Sequence, residues 1–213
     1  CTLATVSIEA GLGLRRIGYP SMGPGALFRL ADDGVSRRVY AISPPGPLDP
    51  GEVLGWVSGG MWDLIILSPL MGEDAGAIIP LLSSYSRMLA VDVQGYVRSG
   101  LDPWHLPRGY QVLHGSREEL DTPRLPGPLS VVTDGMNPIM VYAGDALYAR
   151  VHPAGPRLRD STGAGDAFTA AFSILLLNGY DAGEAAHLAS IHVPRVLGYL
   201  QDAGLEVDVC GGV

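Results

Sequence analysis

Asp160-Ser161-Thr162-Gly163-Ala164-Gly165-Asp166-Ala167-Phe168 runs straight into the apolar stretch Thr169 to Leu177, which has the composition of a buried helix. Two glycines within three residues at a helix start leave the first backbone N–H groups uncovered. Those groups and the helix dipole favour an anion there. Asp166 falls in the same first turn, so a carboxylate stands beside the place a phosphate would occupy. It would accept a hydroxyl proton while the N–H groups hold charge developing on phosphoryl oxygens. A plainer reading fits the spacing as well: Asp160 or Ser161 caps the helix and the glycines only make the turn. Spacing alone does not separate the two.

Working outward from this segment, Ala164–Asn178 is expected as a helix stopped by Gly179, and Ala182–Ser190 as another, capped by Asp181 with Glu184 three residues on. Upstream, Ile139–Ala143 and Ala146–Val151 flank Gly144-Asp145 as a hairpin. Asp63–Ser68, Met88–Val93, Tyr110–His114 and Leu129–Thr133 read as buried strands. Gly72–Ser86, containing Pro80, and Ser116–Leu120 read as the helices between them. Asp49-Pro50-Gly51-Glu52 opens a further helix, with Asp49 as N-cap and Pro50 at the first helical position. Near the start, Thr2–Ile8 reads as a strand, and 26–43 as a β-hairpin around Asp32-Asp33-Gly34. Buried strands alternating with helices imply an α/β fold, a mostly parallel, doubly wound sheet covered on both faces. The early hairpin stands outside that alternation.

Composition narrows the chemistry. The chain has 213 residues, 47% hydrophobic, with a net charge of -8, so it is globular rather than disordered. An acidic balance argues against nucleic acid as a partner. All 14 basic residues are arginines. A Walker-type phosphate loop, the lysine ion pair of a protein kinase and Schiff-base catalysis are therefore excluded. Cys1 and Cys210 form neither a disulfide framework nor a metal-binding pair, which points to a reducing cytoplasm. No apolar run reaches the roughly 18 residues of a membrane span. The five histidines show no paired metal-ligand spacing and read as structural or surface, and Trp56 and Trp62 read as core.

The wording of 160–173 goes beyond spacing. It resembles, position for position, the C-terminal signature of the ribokinase-like PfkB carbohydrate kinases, Asp-Thr-x-Gly-Ala-Gly-Asp-x-Phe, with Ser161 in place of the usual threonine. The resemblance implies that Asp166 is the catalytic base and that Gly163, Ala164 and Gly165 form an anion hole. Leu113–Leu120 resembles the family's Asn-x-x-Glu element, with Ser116 where asparagine is usual and Glu119 in place. Glu119 is thereby implied to organise Mg2+ through water, and Ser-x-x-Glu is also a helix capping box. Val131–Gly135 resembles the strand and turn along the nucleotide, implicating Thr133 and Gly135, while Pro138 stands where the family's second glycine is expected. Asp92-Val93-Gln94-Gly95-Tyr96-Val97-Arg98, at a strand end, resembles a subgroup of archaeal and plant-type myo-inositol kinases. So does Leu67-Ser68-Pro69 with Gly72-Glu73. Gln94 and Arg98 become the candidate substrate contacts, an arginine fork being well suited to phosphate.

The expected protein is a single ribokinase-like domain over 1–213 using ATP and Mg2+ to phosphorylate a hydroxyl of a polyol or sugar, with myo-inositol the first substrate to try. A nucleoside acceptor is the first alternative, and a non-catalytic nucleotide-binding module the second. The resemblance also begins late. The family's first core strand, part of its lid and a Gly-Gly stretch have no counterpart before Cys1. The expectation is thus an N-terminally truncated domain, with 26–43 as the lid-type hairpin: a fragment of a longer kinase, a naturally shortened one whose acceptor side is completed by another copy or a partner chain, or a nucleotide-binding protein without catalysis.

Overall fold

A computed structural model describes residues 27–32, 37–43, 48–73, 75–120, 127–158 and 161–202. The strand expected over Thr2–Ile8 and the tip of the early hairpin lie outside these residues. The arms of that hairpin are β1 (Leu27–Asp32) and β2 (Arg37–Ser43), paired antiparallel as a separate two-stranded sheet.

The main sheet has six strands in sequence order: β3 (Trp62–Leu67), β4 (Ser86–Asp92), β5 (Val112–Ser116), β6 (Leu129–Thr133), β7 (Ile139–Ala143) and β8 (Ala146–Val151). Strands β3 to β6 are parallel to one another; β7 and β8 close the sheet as an antiparallel hairpin. Among the described residues β3 is an edge. Successive strand residues face opposite sides, and the two cores follow that alternation. Leu89, Val91, Leu113 and Val132 pack against α1 (Pro50–Val57), α2 (Ile79–Ser83) and α3 (Gln94–Arg98). Ala90, Val112, Val131 and Val141 pack against Phe168 and Phe172 of α4 (Ala164–Leu177) and the alanines of α5 (Ala182–Asp202). Helices therefore cover both faces of an α/β sheet, as the sequence implies. No helix among the described residues is long and apolar enough to cross a membrane.

Several boundaries follow from local chemistry. Asp49 caps α1 by accepting the Glu52 N–H at 2.8 Å. α4 ends where Gly179 takes a left-handed φ of 85°, with Gly179 and Tyr180 N–H returning to the Leu176 and Leu175 carbonyls. Three expected helices come out differently. Gly72–Ser86 is helical only over α2, because Pro80 starts that helix instead of interrupting a longer one. Ser116–Leu120 is a hydrogen-bonded turn, in which Glu119 and Leu120 N–H close back on the Ser116 carbonyl. α5 continues past Ser190 to Asp202 with Pro194 inside it. Gly155, which approaches Pro194 and the Ser190 carbonyl closely, packs against that segment.

Candidate active site

The parallel strands β3, β4, β5 and β6 all end at one edge of the sheet, where open α/β sheets bind their ligands. Ser68, Asp92, Ser116 and Thr133 stand at or just past those four ends. α4 starts over the same edge and packs on β3, β4 and β5.

Gly163 is the N-cap of α4 and adopts φ 78°, ψ 1°, a left-handed conformation that a side chain would strain. It provides no side-chain cap. The Ala164 N–H donates to the Ser161 carbonyl at 3.0 Å, closing the turn. Beyond it, the N–H groups of the first turn point along the helix axis with no carbonyl a turn earlier to receive them. Asp166 lies in that turn, open to solvent, and accepts a hydrogen bond from Ser68 Oγ at 2.9 Å. Two segments 98 residues apart in sequence thus meet at one carboxylate.

The loop that carries Ser68 is latched to α3. Gly72 N–H donates to Ser99 Oγ at 2.7 Å, Ser99 Oγ donates to the Gly95 carbonyl at 2.7 Å, and Leu70 N–H donates to Glu73 Oε2 at 2.8 Å. Gly95 allows this approach: a Cβ there would stand 1.8 Å from the Pro69 carbonyl oxygen. Burial pushes the Glu73 carboxyl above its ordinary value, and the Leu70 N–H offsets part of that rise.

Beneath the start of α4 lies a buried polar cluster. His114 Nδ1 is 2.8 Å from Asp92 Oδ2 and 2.9 Å from Thr169 Oγ1, and Nε2 is 3.2 Å from Thr133 Oγ1. Thr169 donates to the Gly165 carbonyl at 3.0 Å. Burial pushes the Asp92 carboxyl up. The hydrogen bond and charge of His114, with the Gln94 N–H and Thr169, outweigh it and hold Asp92 below the ordinary carboxylate value.

The residues singled out from sequence thus fall into two groups and one outlier. Gly163, Ala164, Gly165 and Asp166 form the first turn of α4, and Thr133 joins them through His114 and Thr169. Ser116, Glu119 and Arg98 form a second group. Glu119 Oε2 accepts the Ser116 N–H at 2.8 Å, the reach-back half of a capping box, and Oε1 lies 3.5 Å from Arg98 Nη2. Gln94, at the exposed start of α3, borders the first group by donating its N–H to Asp92 Oδ1 at 2.9 Å, while Gly135, in the Asp134–Asn137 turn with φ 54°, stands apart from both. Among the described residues no three carboxylate, histidine or cysteine side chains converge on a metal position. Sequence reasoning gave Ser68, Asp92 and Thr169 no role and read His114 as structural or surface; it is buried. The signal was positional, since Ser68 and Asp92 sit at strand ends on the ligand edge.

No protein-family model and no curated protein matches the sequence. Solved structures do match. A ribokinase from Thermotoga maritima superposes with a TM-score of 0.53 at 15% identity, over 78% of this chain and 60% of that one. The fold is ribokinase-like. A Burkholderia thailandensis nucleoside kinase in complex with inosine gives a TM-score of 0.57 at 18% identity, over 85% of this chain and 62% of that one. A Xylella fastidiosa fructokinase with bound ATP gives 0.52 at 16% identity, over 86% and 76%. The chain thus spans about three-fifths of the length of the first two. On this ribokinase-like frame, the edge that gathers Asp166, Ser68 and Thr133 is where such α/β sheets bind ligands.

Proposed function

We propose that this chain is a magnesium-dependent kinase that transfers the γ-phosphoryl group of ATP to a hydroxyl of a small polyol, sugar or nucleoside, with myo-inositol the first acceptor to offer. One observation carries the reading: the Asp166 carboxylate, in the first turn of α4, already accepts a hydrogen bond from a hydroxyl, Ser68 Oγ, at 2.9 Å. An acceptor hydroxyl taking the place of Ser68 would have its proton beside a base and its oxygen beside the first-turn N–H groups. The ribokinase-like fold of sugar and nucleoside kinases, and an ATP-bound structure among them, support the same reading.

The chemistry follows from the residues. Asp166 takes the proton of the acceptor hydroxyl as its oxygen bonds to the γ-phosphorus. The bond from that phosphorus to the β,γ-bridging oxygen breaks, and ADP leaves. The N–H groups of Gly163 to Gly165 hold the charge on the transferring group, the one on Ala164 turning from the Ser161 carbonyl to do so. Thr133 contacts the nucleotide from the end of β6, with Gly135 in the turn beyond it. Glu119, bound to the Ser116 N–H, and Arg98 beside it would serve the triphosphate, with Glu119 the residue that would hold a magnesium ion through water. Gln94 and Arg98 reach towards the acceptor from α3. Magnesium bound with the triphosphate neutralises its charge.

ADP release from ATP and magnesium, assayed over a panel of polyols, sugars and nucleosides beside Asp166→Asn, tests the reading. Acceptor-dependent turnover that falls by roughly 10²- to 10⁴-fold in the variant supports it. Equal rates in the two proteins would assign the chemistry to another group. ATP binding with no turnover for any acceptor would make the chain a nucleotide-binding module.

A further inference from the structure

The left-handed Gly163 at the start of α4 makes no side-chain cap, and the first turn is also held by contacts from below. Those contacts converge on His114, 3% exposed in the middle of β5. Its Nδ1–H faces the Asp92 carboxylate at 2.8 Å, the shortest bond in the cluster, which leaves Nε2 directed at the Thr133 hydroxyl at 3.2 Å. Thr169 has a single hydroxyl proton. Its carbonyl partner, Gly165 at 3.0 Å, is nearer than Asp92 Oδ2 at 3.4 Å, so the proton goes to Gly165 while the oxygen accepts a second branch of the His114 Nδ1–H bond at 2.9 Å, and the hydroxyl bridges the imidazole to the backbone of the first turn. A Cβ on Gly165 would lie 3.5 Å from His114 Cε1, so the ring also supports that turn sterically. One buried imidazole therefore holds the end of β6 and the start of α4. A buried ionisable pair of this kind gives little net stability over an apolar filling, but it fixes geometry.

We propose that His114, oriented by Asp92, is a positioning residue of the nucleotide site: it sets the Thr133 hydroxyl and, through Thr169, the first turn of α4 at one fixed separation. This rests on the kinase reading above.

The test uses His114→Gln, His114→Leu and Thr169→Val in the full chain, with three readouts. The first is the KM for ATP against kcat and against the KM of the acceptor. With the cradle loosened, His114→Leu should lose roughly ten- to a hundredfold in kcat/KM for ATP. The acceptor KM should stay within about twofold of wild type in all three variants, since only a uniform structural loss moves it in parallel. His114→Gln, which keeps a polar group towards Asp92, should recover part of the loss. The second readout is thermal stability, and the third is amide hydrogen exchange in ligand-free protein. Exchange should accelerate over Gly163 to Ala167 in His114→Leu and Thr169→Val but not in the second half of α5. Unchanged ATP kinetics beside a lowered melting temperature would reduce His114 to a packing residue. If wild-type protein neither binds nor turns over ATP, the kinase reading falls, and the exchange measurement still decides whether His114 sets the turn. Unaltered exchange there would overturn the proposal whatever the kinetics.

Discussion

Two glycines in the same turn should respond to a methyl group in opposite ways. Gly163 has φ 78°, and a Cβ there would meet nothing within 4 Å, so Gly163→Ala carries backbone strain and no packing penalty. A left-handed conformation costs an L-residue about 1–2 kcal/mol. Gly165 is helical. Its Cβ would meet His114 Cε1 at 3.5 Å and Asp92 Oδ2 at 3.7 Å, both ordinary contacts. Replacing a helical glycine with alanine contributes about 0.5–1 kcal/mol. The pair should therefore differ by about 1.5–3 kcal/mol, which for a domain of this size is a spread of about 3–12 °C in melting temperature. Thermal denaturation followed by far-ultraviolet circular dichroism, well above the sequence pI of 4.9, reads it directly. The added methyl at Gly165 points inward to the polar cluster, so that variant should bind ATP within a few-fold of wild type. Gly163→Ala, which shifts the helix start, should bind more weakly. If Gly163→Ala melts with wild type, or Gly165→Ala is the less stable of the two, the left-handed start of α4 does not govern this turn.

Ser68→Ala removes the donor on Asp166 and should lower kcat by less than tenfold while Asp166→Asn abolishes most turnover, because Ser68 stands where the acceptor would bind; side-by-side steady-state rates check it. Gly95→Ala sets a methyl 1.8 Å from the Pro69 carbonyl oxygen. It should destabilise by about 1–3 kcal/mol and displace Ser68, measurable as a lowered denaturant midpoint. Glu73 is held above its ordinary value, so its native state grips the proton and stability is lost as pH rises through the carboxylate range. Glu73→Gln, which still accepts from Leu70 N–H, should melt higher than wild type at neutral pH and level with it in acid. Asp92 behaves oppositely: its folded value is depressed, so its contribution is present above the ordinary carboxylate value and is lost as pH falls through the folded one. Unfolding free energy measured from neutral pH down to strong acid should lose part of its acid slope in Asp92→Asn.

Local chemistry was legible wherever a few adjacent residues decide it. Gly144-Asp145 placed β7 and β8, and Asp49-Pro50 placed α1, at the boundaries the structure has. The sequence was misleading where a nearby residue has two uses. Glu73 fits a helix but spends its carboxylate on the Leu70 N–H. Glu119 fits a capping box and makes its reach-back bond, yet 117–119 form a turn. Pro194 looks like a stop, yet α5 runs through it. Of the candidate site, the start of α4 was readable because Gly163 to Asp166 are contiguous. The cluster under it was not, because His114 meets its partners across 22, 55 and 19 residues and no periodic pattern marks a polar side chain inside a parallel strand.

The meeting of Ser68 with Asp166 has a kinetic side as well. Parallel strands joined by crossovers, and a carboxylate delivered to the far edge strand by the penultimate helix, make this a topology of distant pairings, which form late because loop closure precedes any gain. During synthesis from the N-terminus, β3 to β8 are all made before α4 emerges. Base and hydroxyl therefore come together only after α4 has been made, Asp166 following Ser68 by 98 residues.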